Sequence, residues 1–226
     1  MSVGEVLGDA WRIYKRLIRR SIVVAGLIFA VVGLADALAS RSNTPLTRLV
    51  ALGLGLAGGL LVQGALVELV RDLREGREIR TIGTVYSSTR GRLGTLLGAS
   101  ILYGIGVVIG LFLLLVPGLI AAARWSLIVP LVMIEGLGWR EAFARSSALV
   151  KGQTGRVLVV NLLSNILSAI ASVALAGIFI RLPPFFSAWI GGAIAGAFVV
   201  PYGAHVLTVL YYKLTEPGRP VLPNAA

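Results

Sequence analysis

The chain has 226 residues, 57% of them apolar and only 14% charged, and its mean hydropathy is +0.89. A soluble domain carries charge on roughly a quarter of its residues, so this composition excludes the soluble globular class and leaves little chain for an extramembrane domain. Twenty-one Lys and Arg against ten Asp and Glu give a net charge of +11. These charges fall between apolar stretches, which points to topology signals and anionic lipid rather than to nucleic acid.

Cysteine is absent, which removes disulfides, thiolate nucleophiles and cysteine metal sites, and the single His205 removes any site built from several histidines. The sequence holds no metal, nucleotide or catalytic constellation, so neither a cofactor nor an enzymatic activity is expected. An intramembrane hydrolase would need a paired acid and base, and Glu68 and Glu135 are the only candidates at one interface.

Residues 2–20 predict an interfacial amphipathic helix. Val3, Leu7, Ala10, Trp11, Tyr14, Leu17 and Ile18 share one face, and Arg12, Lys15, Arg16 and Arg19 fill the other. Ser2 and Glu5 have capping-box spacing. Such a helix lies on the inner leaflet, where each basic residue adds about 1 kcal/mol of attraction to an anionic surface.

Ser21 to Leu38 forms the first predicted span. Ala37-Leu38-Ala39-Ser40 has the small-residue pattern of a signal cleavage site, but the structured helix ahead of it favours a retained span. Asp36, Arg41, Ser42, Asn43, Thr44 and Pro45 then make a short outer loop.

Leu49 to Val70 is the second span, with Gly55 and Gly59 at a spacing that lets helices approach closely. Gln63 and Glu68 lie toward its inner end, and Glu68 reads as an interfacial residue opening a basic cytoplasmic segment that runs to Arg80. A second, weaker amphipathic stretch covers Arg80 to Arg92.

Residues 94–134 are one apolar run, too long for a single crossing of about 20 residues, and Pro117-Gly118 divides it into Gly94 to Val116 and Leu119 to Ile134. Gly106 and Gly110 repeat the close-packing spacing, and Pro130 predicts a kink. Arg124 interrupts the fourth span. A charge near the bilayer centre costs about 2.5 to 3.5 kcal/mol on insertion scales, so Arg124 either snorkels to the outer interface or faces an acidic partner. Glu135 is three helical turns, about 16 Å, away on the same helix. Asp36 on the first span is therefore the predicted partner.

Trp139 to Val150 is a third interfacial helix, with Glu141 and Arg145 at the favourable i, i+4 order and Gly152 as its C-cap. Arg156 to Ile180 is the fifth span. Asn161, Asn165, Ser168 and Ser172 recur on one of its faces, and that stripe must point into the bundle or a polar cavity. Pro183-Pro184 turns the chain into the sixth span, Phe185 to Tyr212, with Gly192, Gly196, Pro201 and the interfacial Tyr211 and Tyr212.

The expected class is all-α: a polytopic bundle of six transmembrane helices with three cytoplasmic interfacial helices, in one membrane domain over residues 1–226. Seventeen Lys and Arg fall on the N-terminal helix, the even-numbered loops, Lys213 at the inner end of the last span and the tail 215–226, against Arg41, Arg48 and Arg181 opposite. The positive-inside rule puts both termini in the cytoplasm and the chain in the cell (inner) membrane.

Apolar or small residues at Leu7, Ala10, Ile13 and Tyr14, at Ile79, Ile82, Val85 and Tyr86, and at Phe143, Ser146, Leu149 and Val150 are followed six residues later by Arg20, Arg92 and Arg156. This suggests three units, about 1–70, 71–135 and 136–214, each an interfacial helix plus a hairpin.

Pro117-Gly118, Arg124, Pro130, Glu135-Gly136, Ala142, Arg145, Ser146, Leu149 and Gly152 together resemble a broad family of prokaryotic six-span membrane proteins. That family includes the membrane domain attached to some glycerophosphoryl diester phosphodiesterases. The resemblance covers about 40 residues and implies the architecture and an association with lipid metabolism or envelope biology. The phosphodiesterase domain itself is missing.

Two functional readings follow. One is a non-enzymatic module that binds membrane lipids, a protein partner or a second copy, with anionic headgroups held by Arg12, Lys15, Arg16, Arg19, Arg20, Arg92, Arg145 and Arg156. The other is a transporter or flippase whose polar route is lined by Arg124, Gln63, Asn161, Asn165, Asp36 and His205. A dry-packed Asn161 and Asn165 face would remove the second.

Overall fold

The computed structural model describes residues 2–42, 44–78 and 80–221. Asn43 of the outer loop, Ile79 of the second apolar set and the tail from 222 onward lie outside the described residues. Among those described, every regular element is helical. Six segments are long and apolar enough to cross a membrane: Val3–Arg41, Pro45–Arg74, Leu93–Leu113, Leu115–Glu135, Thr154–Ile178 and Pro184–Thr215.

Helix α1 (Val3–Arg41) corrects the expectation of a separate N-terminal interfacial helix. Between Gly8 and Gly26 the sequence has neither glycine nor proline, so nothing breaks the helix at Arg20-Ser21. Its 39 residues extend about 58 Å at 1.5 Å per residue, nearly twice a bilayer core. Ser2 and Glu5 form the capping box, with the Glu5 N–H donating to Ser2 Oγ at 3.2 Å and the Ser2 N–H to Glu5 Oε2 at 2.9 Å.

Ala10, Tyr14 and Leu17 of the apolar stripe, together with Val6 and Ile13, are buried in the bundle, mainly against the last helix, α10 (Gly192–Thr215), whereas Trp11 stays half-exposed. Asp9 pairs with Lys213 at 2.7 Å, Ser21 Oγ lies 3.2 Å from His205 Nε2, and Trp189 Nε1 donates to the Ala30 carbonyl at 2.9 Å. These contacts run the two helices antiparallel, so the N-terminal end of α1 and the C-terminal end of α10 sit together. Gly196 makes the close approach possible, because a Cβ there would meet the Phe29 ring at 2.7 Å.

Helix α2 (Pro45–Arg74) packs on both, with Gly58 tight against Val32 and Ile28, the predicted Gly55 more loosely against Val32, and Gly59 away from the contact. Its Arg74 guanidinium donates to both Glu216 carboxylate oxygens, at 3.1 and 2.8 Å, and lies 3.8 Å over the Tyr212 ring. The three longest spanning segments therefore project together at one charged end.

A short helix, α3 (Ile82–Arg90), docks on this group. Thr89 packs over Gly64, and the Tyr86 hydroxyl donates to the Val24 carbonyl while burial pushes its phenol pKa up to about 12.

The remaining spans are shorter. Helix α4 (Leu93–Leu113) turns at the extended residue Leu114 into α5 (Leu115–Arg124), three residues earlier than Pro117-Gly118 predicts. Pro117 is tolerated inside the first turn of α5, where a backbone N–H has no helical partner to lose. Gly118 serves the turn differently: a Cβ on Gly110 would lie 2.8 Å from its Cα.

After Arg124 the helix breaks, resumes briefly as α6 (Ile128–Pro130) and continues as a π turn over Leu131–Glu135. Pro130 explains the break one turn upstream of itself. It has no N–H for the Ser126 carbonyl, and its ring collides with that group in a regular helix.

Helix α7 (Trp139–Val150) braces the break. Ser146 Oγ donates to the Arg124 carbonyl at 2.6 Å and accepts from the Leu127 N–H at 3.3 Å, while Phe143 packs edge-on against Trp125. Glu141 serves as the N-terminal cap of α7 through the Gly138 N–H instead of pairing with Arg145. Helix α8 (Thr154–Ile178) follows Gly152, whose φ of +84° supplies the left-handed turn. The chain returns through α9 (Pro184–Phe186) and a π turn over Ser187–Gly191 into α10.

Candidate functional site

A cavity of about 550 Å³ lies among α2, α4, the α5/α6 break, α8 and α10. Six polar side chains line it: Gln63 from α2, Ser100 and Tyr103 from α4, Ser126 from the break, and Asn161 and Asn165 from α8. Gly59 leaves room for it, since a Cβ at that position would meet nothing within 4 Å. Asn161 and Asn165 of the polar stripe thus meet a cavity rather than a dry helix interface, whereas Ser168 and Ser172 are not part of its wall. Two further features set its boundary: Ala123, Leu127 and Ile128 beside the break are buried, whereas Asn165 and the neighbouring Leu162 are exposed on the outside of the bundle.

Most of these polar groups are uncommitted. Ser126 Oγ donates to the Ala123 carbonyl at 2.9 Å, and the Asn165 amide donates to the Asn161 carbonyl at 2.8 Å. Among the described residues, the side chains of Gln63, Ser100, Tyr103 and Asn161 form no hydrogen bond. In hydrocarbon an amide or hydroxyl without a partner is costly, so four of them around one space call for an occupant, water or ligand.

A second cavity of about 340 Å³ lies between α1, α2 and the start of α10, and it contains Asp36. Gly55 and Leu56 belong to the walls of both cavities, which therefore adjoin across α2.

The other predicted route residues are elsewhere. His205 is fully buried in the α1–α10 seam, and its Nδ1 has no hydrogen-bond partner among the described residues. Arg124 is exposed and, among the described residues, has no acidic partner; the pairing with Asp36 is not formed. Its position has a local reason. Because the helix breaks there, Arg124 occupies the last turn of α5, where a cation complements the helix dipole.

Of the basic residues, Lys15, Arg16, Arg19, Arg20 and Arg156 are exposed. Arg12 is exposed too, and it pairs with Asp9. Arg145 pairs with Glu135 at 3.4 Å. Arg92 is turned inward and donates to the Val132 and Met133 carbonyls, which caps the π turn.

The sequence reading missed a buried ion cluster. Glu68 and Asp72, one helical turn apart on α2, are 4% and 0% exposed, and Arg80 binds both. Hydrogen bonding to Asp72 raises the Arg80 pKa above its ordinary value, burial opposes this, and Glu68 adds to the rise. Arg80 is therefore charged at any working pH. Glu68 is thus held inside the protein by Arg80, and it does not meet Glu135, which accepts from the Tyr211 hydroxyl at 3.0 Å. The i, i+4 spacing of the two acids was the available signal.

The chain matches no protein-family model, no curated protein and no solved structure.

Proposed function

We propose that the protein is a non-enzymatic lipid-binding module of the cell (inner) membrane, with both termini cytoplasmic. The observation that carries this reading is the cavity itself. Its uncommitted amides and hydroxyls are set among spanning helices, and its wall reaches the exposed surface at Asn165 and Leu162, a surface that faces acyl chains in a bilayer.

The exposed Lys15, Arg16 and Arg19, with Arg12 and Arg20, supply an anionic-headgroup surface at the cytoplasmic end of α1. Helices α3 and α7 act as the interfacial helices; the N-terminal unit differs in that its amphipathic half is continuous with the first span, and the three units derive from duplication. A lipid-related role also agrees with the resemblance of residues 117–152 to the membrane domain of phosphodiesterases. A protein partner or a second copy would meet the same cytoplasmic end.

Native mass spectrometry after mild detergent extraction, with analysis of retained lipid, tests the proposal. Stoichiometric lipid is expected; protein that emerges bare from every mild detergent overturns it.

The broken fourth span and the adjoining cavities favour one alternative, a transporter or flippase. In proteoliposomes carrying a fluorescent lipid in one leaflet, protein-dependent exchange between leaflets would establish that reading.

A further inference from the structure

We infer that the cavity receives the uncharged, hydrogen-bonding end of a glycerolipid, a free hydroxyl with its ester carbonyls as in a diacylglycerol, and not a phosphate headgroup. The inference rests on the lipid-binding reading and narrows it to a chemical class.

Charge decides the class first. Among the described residues, no Asp, Glu, Lys, Arg or His lines the cavity. Arg124 adjoins the lining residues Ala123 and Trp125 in sequence, yet it is exposed and absent from the wall. A phosphate drawn into this space would leave water without gaining a cation, and an unpaired buried ion is among the costliest states a protein site can hold. The basic side chains that suit phosphate lie on the amphipathic half of α1, a different part of the molecule.

Hydrogen-bonding capacity decides it next. Gln63 and Asn161 each offer amide donors and a carbonyl acceptor, and Ser100 and Tyr103 each offer a hydroxyl. A glycerol hydroxyl can donate to an amide carbonyl while two ester carbonyls accept from amide and hydroxyl protons. Acyl chains alone would satisfy none of these groups, so a purely hydrocarbon occupant is disfavoured.

Volume and shape agree. About 550 Å³ falls within the usual range of about 300 to 1,000 Å³ for small-molecule sites. The rim at Leu162 and Asn165 gives acyl chains an exit along α8, whose Ile166 and Ile170 are also exposed.

Photolabelling of the full chain in lipid nanodiscs tests the assignment. Two matched probes are used, a diacylglycerol and a phosphatidylglycerol, each with a diazirine near the glycerol and an alkyne on the tail. The diacylglycerol probe is expected to label peptides containing Gln63, Tyr103 or Asn161 and to be displaced by unlabelled diacylglycerol. Gly59→Leu, which fills the cavity without a clash at its Cβ, should lower this labelling about tenfold with the melting temperature retained. Asn161→Leu should lower it as well. Equal cavity labelling by phosphatidylglycerol, competed by unlabelled phosphatidylglycerol, overturns the uncharged class while leaving lipid binding intact. Absence of cavity labelling by either probe, or labelling that survives Gly59→Leu, overturns both the inference and the placing of lipid in this cavity.

Discussion

The seam of α1, α2 and α10 and the space where α2 faces α4 and α8 treat most polar side chains in opposite ways, with His205 Nδ1 and Asp36 as the exceptions in the first. In the first, Asp9, Ser21, Glu68, Asp72, Arg74 and Lys213 each meet a side chain of another element or the neighbouring loop, and Tyr14 and Trp189 reach backbone carbonyls across the seam. In the second, Gln63, Ser100, Tyr103 and Asn161 face a shared space without partners among the described residues. Burial follows the division only for some helices: the most apolar stretch is 11% buried in α4 and 17% in α8 against 44% in α2 and in the last span, whereas α1 is 22% buried and the fourth span, which borders the cavity, 44%. Committed polar groups hold helices together, whereas uncommitted ones inside a membrane segment mark where something else must bind.

The division breaks first, and most severely, at Arg80. Arg80→Leu leaves Asp72 buried without a cation and Glu68 with only Arg71, 4.0 Å away, a class of change that costs about 3 to 5 kcal/mol; the remaining Arg71 and the partial exposure of Arg80 put the expectation near the lower bound. Thermal unfolding in detergent measures it, and adding Asp72→Asn should recover part of the loss. Recovery would show that the uncompensated charge, not lost packing, is the cause.

Gly196→Leu comes next, at about 1 to 3 kcal/mol, because its Cβ meets the Phe29 ring at 2.7 Å. Gly59→Leu, facing open space, should instead be neutral or stabilising by up to about 1 kcal/mol. Equal melting temperatures for the two variants would erase the distinction between a closed seam and an open cavity.

A smaller effect is expected at Glu216. Burial raises its pKa, but hydrogen bonds from Arg74 and Arg219 outweigh this and hold it below the ordinary 4.5. A depressed carboxylate stabilises the folded state above its unfolded pKa, and the contribution disappears as pH falls through the lower folded value. The pair is partly exposed, so the end of α10 should loosen by under about 1 kcal/mol. Protection from hydrogen exchange near Tyr212 to Glu216, relative to the intrinsic rate at each pH, should fall in acid, and Glu216→Gln should remove the difference in protection between neutral and acid pH.

Hydropathy made the six spans legible, and proline placed the interruptions to within a turn. Pro117 misplaced the hairpin by three residues because the first helical turn tolerates proline, and Pro130 acts on the carbonyl four residues before it. The length of α1 was not legible, since an amphipathic stripe looks the same whether it covers a lipid surface or another helix. Gln63 and the Asn161–Asn165 stripe stood out as amides in spans. Ser100, Tyr103 and Ser126 did not, because single hydroxyls in a long apolar run carry no periodic signal. The sequence leaves Arg124 to snorkel or to pair with Asp36; the pair does not form, and the break on its C-terminal side puts Arg124 in the last turn of α5.

The smallest predicted effect is the most discriminating. Asn161 makes no side-chain hydrogen bond and faces the cavity, so Asn161→Leu removes no interaction that stabilises the fold. If Asn161 were ordinary packing glue between helices, its loss would cost about 0.6 kcal/mol or more. On the cavity reading the cost is zero or negative, because an amide that needs a partner gives way to a side chain that does not. A leucine that stabilises the empty protein while weakening lipid labelling would place this residue in a site kept for binding at the expense of stability, and a destabilising leucine would return it to the packing of α8.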